Sequence, residues 1–176
     1  MFRTFKLTPT LGALALFFFG TNPALAQSAP AGANQPVART DVPVTARMGI
    51  HVSALVLEDL KQFVTDDEKL AAMFLRMAIL AKQEAIGVNC AAYEIDKERM
   101  VALMMQTMRP LSEGVEKDVA TAHLTRALRQ YNTLLGGELA VFADDRAGYC
   151  AAGKTLFAEL GENSEADSML ALKPAG

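Results

Sequence analysis

Residues 148–155 have the residue types and the spacing of a phosphate-binding loop. They read Gly-Tyr-Cys-Ala-Ala-Gly-Lys-Thr and match the pattern G-x-x-x-x-G-K-[ST]. In such a loop, backbone N–H groups surround a phosphate, a lysine contacts the terminal phosphates and a threonine hydroxyl binds magnesium. The match makes a nucleotide hydrolase one alternative for the function, and its phosphate-binding residues would be Gly148, Gly153, Lys154 and Thr155.

The surroundings of this motif favour a different interpretation. A phosphate-binding loop follows a strand of a parallel sheet, and only residues 141–143 could supply that strand. The rest of the chain has helical periodicity, and Cys150, inside the motif, is a candidate for a disulfide. We therefore expect the start of a helix here, in which the two glycines allow close approach to a neighbouring element.

Methionines at helical spacing form a second set of candidate ligands. Met100, Met104 and Met108 lie on one face of a predicted helix, and thioether sulfur is a soft ligand that suits Cu(I). His51 or His123 could complete a copper site, and a Met/His pair could also ligate haem without covalent attachment. The chain has no C-x-x-C-H sequence, which excludes covalent c-type haem.

The spacing of these methionines is also the spacing of a helix core. Methionine fills irregular gaps in helical interiors and forms adaptable binding grooves. We therefore expect the methionine face to be core or groove, and we expect no cofactor. A copper or haem binding protein remains an alternative function.

Catalytic patterns are otherwise missing from the sequence. There is no H-E-x-x-H and no G-x-S-x-G. The acidic pairs Asp66-Asp67 and Asp144-Asp145 stand where helices should begin, and capping explains them better than acid–base chemistry. We expect no catalytic residue.

The first 26 residues have the three parts of a secretory signal peptide. A short start with two basic residues and no acid precedes an apolar run over residues 11–20, and residues 24–26 read Ala-Leu-Ala. A helix that spans a membrane needs about 20 apolar residues, and this run has only half that number. We expect cleavage after Ala26, a mature chain that begins at Gln27, and no stable membrane insertion. Export to the periplasm follows, with secretion from the cell as an open alternative.

Export affects both the charge and the two cysteines. Removing two basic residues lowers the formal net charge from −3 to −5, and the mild acidity argues against nucleic acid as a partner. Cys90 and Cys150 are the only cysteines, and paired cysteines in an oxidising compartment usually form a disulfide. We expect that bridge here.

Apolar periodicity and breaker residues divide the mature chain. Residues 27–44 predict a flexible arm, residues 45–172 a helical domain and residues 173–176 a C-terminal tail. A capping box at Thr65 and Glu68 should start the second helix, with Gly87 as its stop. Later boundaries are expected at Pro110 and at Gly136-Gly137. The six predicted helical segments begin near residues 45, 65, between 89 and 96, and near 112, 144 and 164, the last of them short and ending at 172.

Strand signals are scarce, so the predicted fold is all-α: a bundle of four to five main helices with one disulfide, preceded by the flexible arm. For function, we expect an exported periplasmic helical binding protein without catalytic activity. Its partner would be another envelope protein or a peptide, and its role that of a chaperone, an assembly factor or an inhibitor.

Overall fold

The computed structural model describes residues 44–162 and 169–176, with side chains from Met48 onward. The predicted leader (1–26) and most of the predicted arm lie outside these residues. Within them the fold is all-α, as predicted. Its elements are α1 (Val44–Leu60), α2 (Asp67–Asn89), β1 (Tyr93–Ile95), α3 (Lys97–Met108), a 3-10 helix (Arg109–Leu111), α4 (Lys117–Asp144), α5 (Arg146–Gly161) and β2 (Leu172–Pro174).

Aspartates cap three of the five α-helices in the described part. The Asp66 carboxylate accepts hydrogen bonds from the backbone N–H groups of Glu68 and Lys69 at the start of α2. The prediction that Thr65 caps this helix is wrong by one residue, because Asp66 supplies a charged acceptor closer to those N–H groups. Asp96 and Asp145 cap α3 and α5 in the same way.

Helix α4 continues through Gly136-Gly137, so the predicted break there is wrong, and residues 141–143 are helical rather than a strand. A β-carbon on Gly137 would lie 3.5 Å from the Val52 side chain of α1. The close packing of α1 on α4 compensates for the poor helix propensity of glycine, which costs about 1 kcal/mol per residue.

The core forms where α1 and α2 pack on α4. Arg126 and Gln130 of α4 bond to Asp59 of α1, whereas Gly137 lies beside the earlier residue Val52, so the two helices are antiparallel. Met77 and Leu80 of α2 are fully buried in the same cluster, together with Val56, Leu60, Ala81, Ala127, Tyr131 and Leu134.

A second buried cluster surrounds the predicted disulfide, which the structure confirms. Cys90 and Cys150 are bonded, with their Cα atoms 5.7 Å apart. The bridge joins the C-cap of α2 to α5. Cys90 packs there with buried Ile86, Tyr149 and Leu172.

The two short strands form an antiparallel sheet that the sequence did not predict. Tyr93 pairs with Pro174, Glu94 with Lys173 and Ile95 with Leu172. The predicted last helix through Leu172 is therefore wrong over its described part, and the predicted tail begins inside β2. No helix among the described residues is long and apolar enough to cross a membrane.

Candidate functional site

An open cleft of about 180 Å³ lies at the end of the bundle where α1 turns into α2. Most of its lining is apolar and comes from that turn, α2, the 3-10 helix and the residue before the α4 cap: Phe63, Val64, Met73, Pro110, Leu111 and Val115. Thr65, Asp66, Lys69 and His123 complete it.

Phe63 forms one wall of this end cleft and is held from two sides. The His123 ring stacks on the Phe63 ring with 5.2 Å between centroids, and the Arg126 guanidinium carbon lies 5.6 Å from the Phe63 centroid. Arg126 is fixed in turn, because its Nε donates to Asp59 Oδ2 at 2.8 Å and its Nη2 donates to Gln62 Oε1 at 2.6 Å. The Arg126 hydrogen bond holds the pKa of Asp59 below its usual value, so the pair stays charged at neutral pH.

The carboxylate and the ammonium of the end cleft, those of Asp66 and Lys69, are already engaged within the protein. The Asp66 carboxylate caps α2 and accepts from the Lys69 backbone N–H, which lowers the pKa of Asp66. The Lys69 ammonium lies 3.7 Å from the same carboxylate. Asp66 and Lys69 therefore act at the start of α2, and most of the remaining lining of the end cleft is apolar.

Two exposed valines, Val115 and Val119, lie at or near the end cleft. Gly114 adopts a left-handed backbone (φ 74°) that residues with a β-carbon rarely take, and it directs the chain from the 3-10 helix to Val115. Val115 is 41% exposed, and Val119, one turn before His123 on α4, is 44% exposed. Val115 thus extends the apolar lining of the end cleft to the surface, and Val119 is a second exposed valine on the helix that carries the cleft residue His123.

The size of the end cleft restricts what it can hold. Small-molecule and cofactor sites usually occupy roughly 300–1,000 Å³ and enclose most of the ligand. The present cleft is smaller and open. It therefore suits one apolar side chain from a partner better than a nucleotide, a haem or a metabolite.

Two tyrosine–carboxylate pairs join the helices away from the end cleft. The Tyr131 hydroxyl of α4 donates to Glu84 of α2, and the Tyr149 hydroxyl of α5 donates to Glu138 of α4 at 2.7 Å. Burial raises the pKa of both tyrosines, so neither is ionised at neutral pH. The pairs act as polar links between helices.

Burial also raises the pKa of Glu138, although Lys82 and the Tyr149 hydroxyl partly oppose this. The folded protein therefore keeps this proton at pH values where the unfolded chain has released it. Stability from this group is present below the unfolded pKa, about 4.3, and is lost as pH rises through the folded pKa. We expect Glu138→Gln to remove this decline, as measured by denaturant unfolding at several pH values.

The matched control is Glu162→Gln, which replaces an exposed carboxylate at the end of α5. It should leave the wild-type pH profile unchanged. A Glu138→Gln protein whose stability falls with pH as steeply as that of the wild type would contradict the assignment.

The phosphate-loop motif lies entirely inside α5. Helix α4 precedes it, with Asp145 alone between the two helices, so the segment has neither the strand nor the loop that phosphate binding needs. Lys154 and Thr155 are exposed on the helix. A β-carbon on Gly148 would clash with the carboxylate of the Asp145 cap, so capping explains this glycine.

Gly153, the second glycine of the motif, allows α5 to approach α2. A β-carbon there would lie 3.2 Å from Ile86 Cγ2. We expect Gly153→Leu to lower the unfolding free energy by about 2 kcal/mol through overpacking, as measured by denaturant titration. At exposed Gly136 nothing lies within 4 Å of such an atom, so Gly136→Leu should be neutral or stabilising through helix propensity. Equal stabilities of the two variants would contradict this explanation.

The candidate metal ligands occupy structural positions. Met100 and Met108 are buried in the core cluster and Met104 is half-buried against it, so all three pack with hydrophobic side chains. His51 is exposed on α1, and His123 stacks at the end cleft. Across residues 44–162 and 169–176, no group of three or more His, Cys, Asp or Glu side chains is placed to hold a metal ion.

The sequence did not identify the residues of the end cleft, apart from His123. Phe63 and Val64 lie between α1 and α2 and Leu111 ends the 3-10 helix, and only the fold brings these segments together. Their one sequence signal is an apolar type next to helix boundaries, where turn residues are usually polar. No protein-family model, curated protein or solved structure matches the chain. The described part of the chain is a disulfide-linked all-α bundle with an apolar end cleft.

Proposed function

We propose that this protein is an exported binding protein without catalytic chemistry, and that its end cleft binds another envelope protein or a peptide. The observation that carries the proposal is the apolar lining of the end cleft together with two exposed valines, Val115 in that lining and Val119 one turn before His123. Contiguous exposed apolar surface on a folded protein commonly marks an interaction site.

The shape of the surface supports a protein ligand. A partner side chain inserted among Phe63, Met73 and Leu111 would be removed from water, while its neighbours would cover Val115 and Val119. A central apolar anchor inside a rim is the usual arrangement of binding energy in protein interfaces. Phe63 is already fixed by His123 and Arg126, so binding loses little conformational entropy at this wall.

The disulfide supports export. Bridges of this kind persist in the periplasm and outside the cell and are rare in the reducing cytosol. Cys90–Cys150 joins elements 60 residues apart and uses both cysteines of the chain. Together with the leader-like first 26 residues, the bridge favours an interaction within the cell envelope.

Site-specific photo-cross-linking in intact cells tests the proposal. A photoreactive benzoylphenylalanine at Val119 should give a discrete adduct with a partner. The same probe at Val101, an exposed valine on α3 that is 58% accessible, serves as the matched control and should not give that adduct. Absence of any adduct from position 119, or identical adducts from both positions, would contradict the proposed site.

A further inference from the structure

Residues 169–176, which we call the strap, pack on α2 and β1 through backbone hydrogen bonds and through buried side chains. The Gln83 side-chain amide donates to the Met169 carbonyl at 2.8 Å, and the Ala171 N–H donates to Gln83 Oε1 at 2.6 Å. Gln83 is fully buried, so one interior side chain satisfies both a donor and an acceptor of the strap.

Strand β1 provides the other side of this seat. The Asp96 N–H donates to the Ala171 carbonyl at 2.9 Å, and the Ala175 N–H donates to the Ala92 carbonyl at 3.1 Å. Between these two bonds the strap forms the three-pair ladder with β1. In every one of these hydrogen bonds the strap takes part with backbone atoms of an extended segment, so the bonds do not depend on its side chains.

A glycine brings β1 close enough to α2 to form the groove. A β-carbon on Gly87 would lie 2.6 Å from Ile95 side-chain atoms and 3.2 Å from the Ile95 nitrogen. Any larger residue would push β1 outward and move the ladder away from Gln83. The close approach of α2 and β1 therefore gives the groove between them a fixed shape that accepts an extended segment.

Side chains of the strap add a short recognition pattern. Ala171 is 1% exposed and Leu172 is 4% exposed, so both fill the groove. The Lys173 ammonium lies 3.1 Å from Glu94 Oε1 on β1, at the surface. The groove thus accepts two consecutive apolar residues, the first one small, followed by a basic residue.

We propose that the groove between α2 and β1 is a binding site for extended peptides, and that the strap occupies it in cis. A peptide segment of another protein with the pattern small–apolar–basic would bind by adding its strand to β1 in place of the strap. Strand addition supplies affinity through main-chain hydrogen bonds, and those bonds are the same whichever chain provides the strand. This site is separate from the end cleft, so it does not depend on the function proposed for the end cleft.

Cutting the chain before the strap tests the proposal. Residues 163–168 are replaced by a protease recognition sequence in the full-length protein, and melting before cleavage must match the wild type. After cleavage, a labelled peptide Met-Leu-Ala-Leu-Lys-Pro-Ala-Gly, the sequence of the strap, should exchange into the groove with saturable binding. The uncut protein should bind the peptide at least tenfold more weakly, because its own strap competes at a high effective concentration.

A peptide carrying Leu172→Asp is the matched control and should bind at least tenfold more weakly than the native peptide. Three results would overturn the proposal. They are unfolding on cleavage, a folded cleaved protein that takes up no peptide, and equal binding of the two peptides. The first would show that the strap is an integral part of the core.

Discussion

Replacing Cys90 and Cys150 together by Ala is expected to lower the unfolding free energy by about 4 kcal/mol. The bridge closes a loop of 60 residues, and the chain-entropy model assigns a loop of this length about that stabilisation. For a domain of this size the loss corresponds to a fall in Tm of roughly 10–15 °C. Thermal unfolding followed by circular dichroism measures it.

The control for this experiment is the reducing agent. Wild-type protein under full reduction should unfold near the temperature of the double variant, and the double variant should not respond to reduction. If reduced and oxidised wild-type protein unfolded at the same temperature, the stabilising role of the bridge would be refuted.

Gln83→Leu should destabilise the protein more than Gly153→Leu does. Leucine fills a similar volume but leaves the buried Ala171 N–H and the Met169 carbonyl without partners. An unsatisfied buried group costs about 1–3 kcal/mol, so we expect a loss of about 3 kcal/mol in denaturant unfolding. Hydrogen exchange of the Ala171 amide should accelerate by at least tenfold, because its acceptor is gone.

Gln106→Leu is the matched control, since Gln106 is an exposed residue on α3. It should change stability by less than about 0.5 kcal/mol. Similar losses of unfolding free energy at positions 83 and 106 would mean that the exchange of a helical glutamine for leucine, and not the loss of the two bonds to the strap, destabilises the protein.

The helices and the disulfide could be predicted because local chemistry determines them. Asp96 and Asp145 carry the acceptors that begin α3 and α5, and Pro110 lies just beyond the end of α3. The pairing of Cys90 with Cys150 needed no structural information, because the chain has only two cysteines. Periodicity of the apolar residues then determined the all-α class.

Tertiary contacts decided the features that the sequence could not predict. Gly136-Gly137 has the local signal of a helix end, yet packing of Gly137 against α1 keeps α4 continuous. The strap has no long alternating pattern, and its strand forms because Gln83 and β1 satisfy its backbone. The one sequence feature that could have indicated such a contact is a glutamine on an apolar helix face, since Gln83 lies one turn from both Leu80 and Ile86.

Almost nothing in the sequence indicated the candidate site, again because tertiary contacts form it. The motif at residues 148–155 resembles a known site, but its glycines serve a helix cap and helix–helix packing. The end cleft, by contrast, combines residues from the α1–α2 turn, α2, the 3-10 helix, the residue before the α4 cap and α4, and none of these segments forms a motif. Spacing along the chain could not bring Phe63 next to His123, because that contact requires the antiparallel packing of α1 on α4.

Binding of a partner through the end cleft is tested most directly by one paired measurement. The partner recovered by cross-linking is titrated against the wild-type protein and against Val119→Glu and Val101→Glu, two charge substitutions at exposed helical valines. We predict that Val119→Glu weakens the affinity at least tenfold while Val101→Glu leaves it unchanged. Unchanged affinity in Val119→Glu, or equal losses in the two variants, would contradict a binding role for the end cleft.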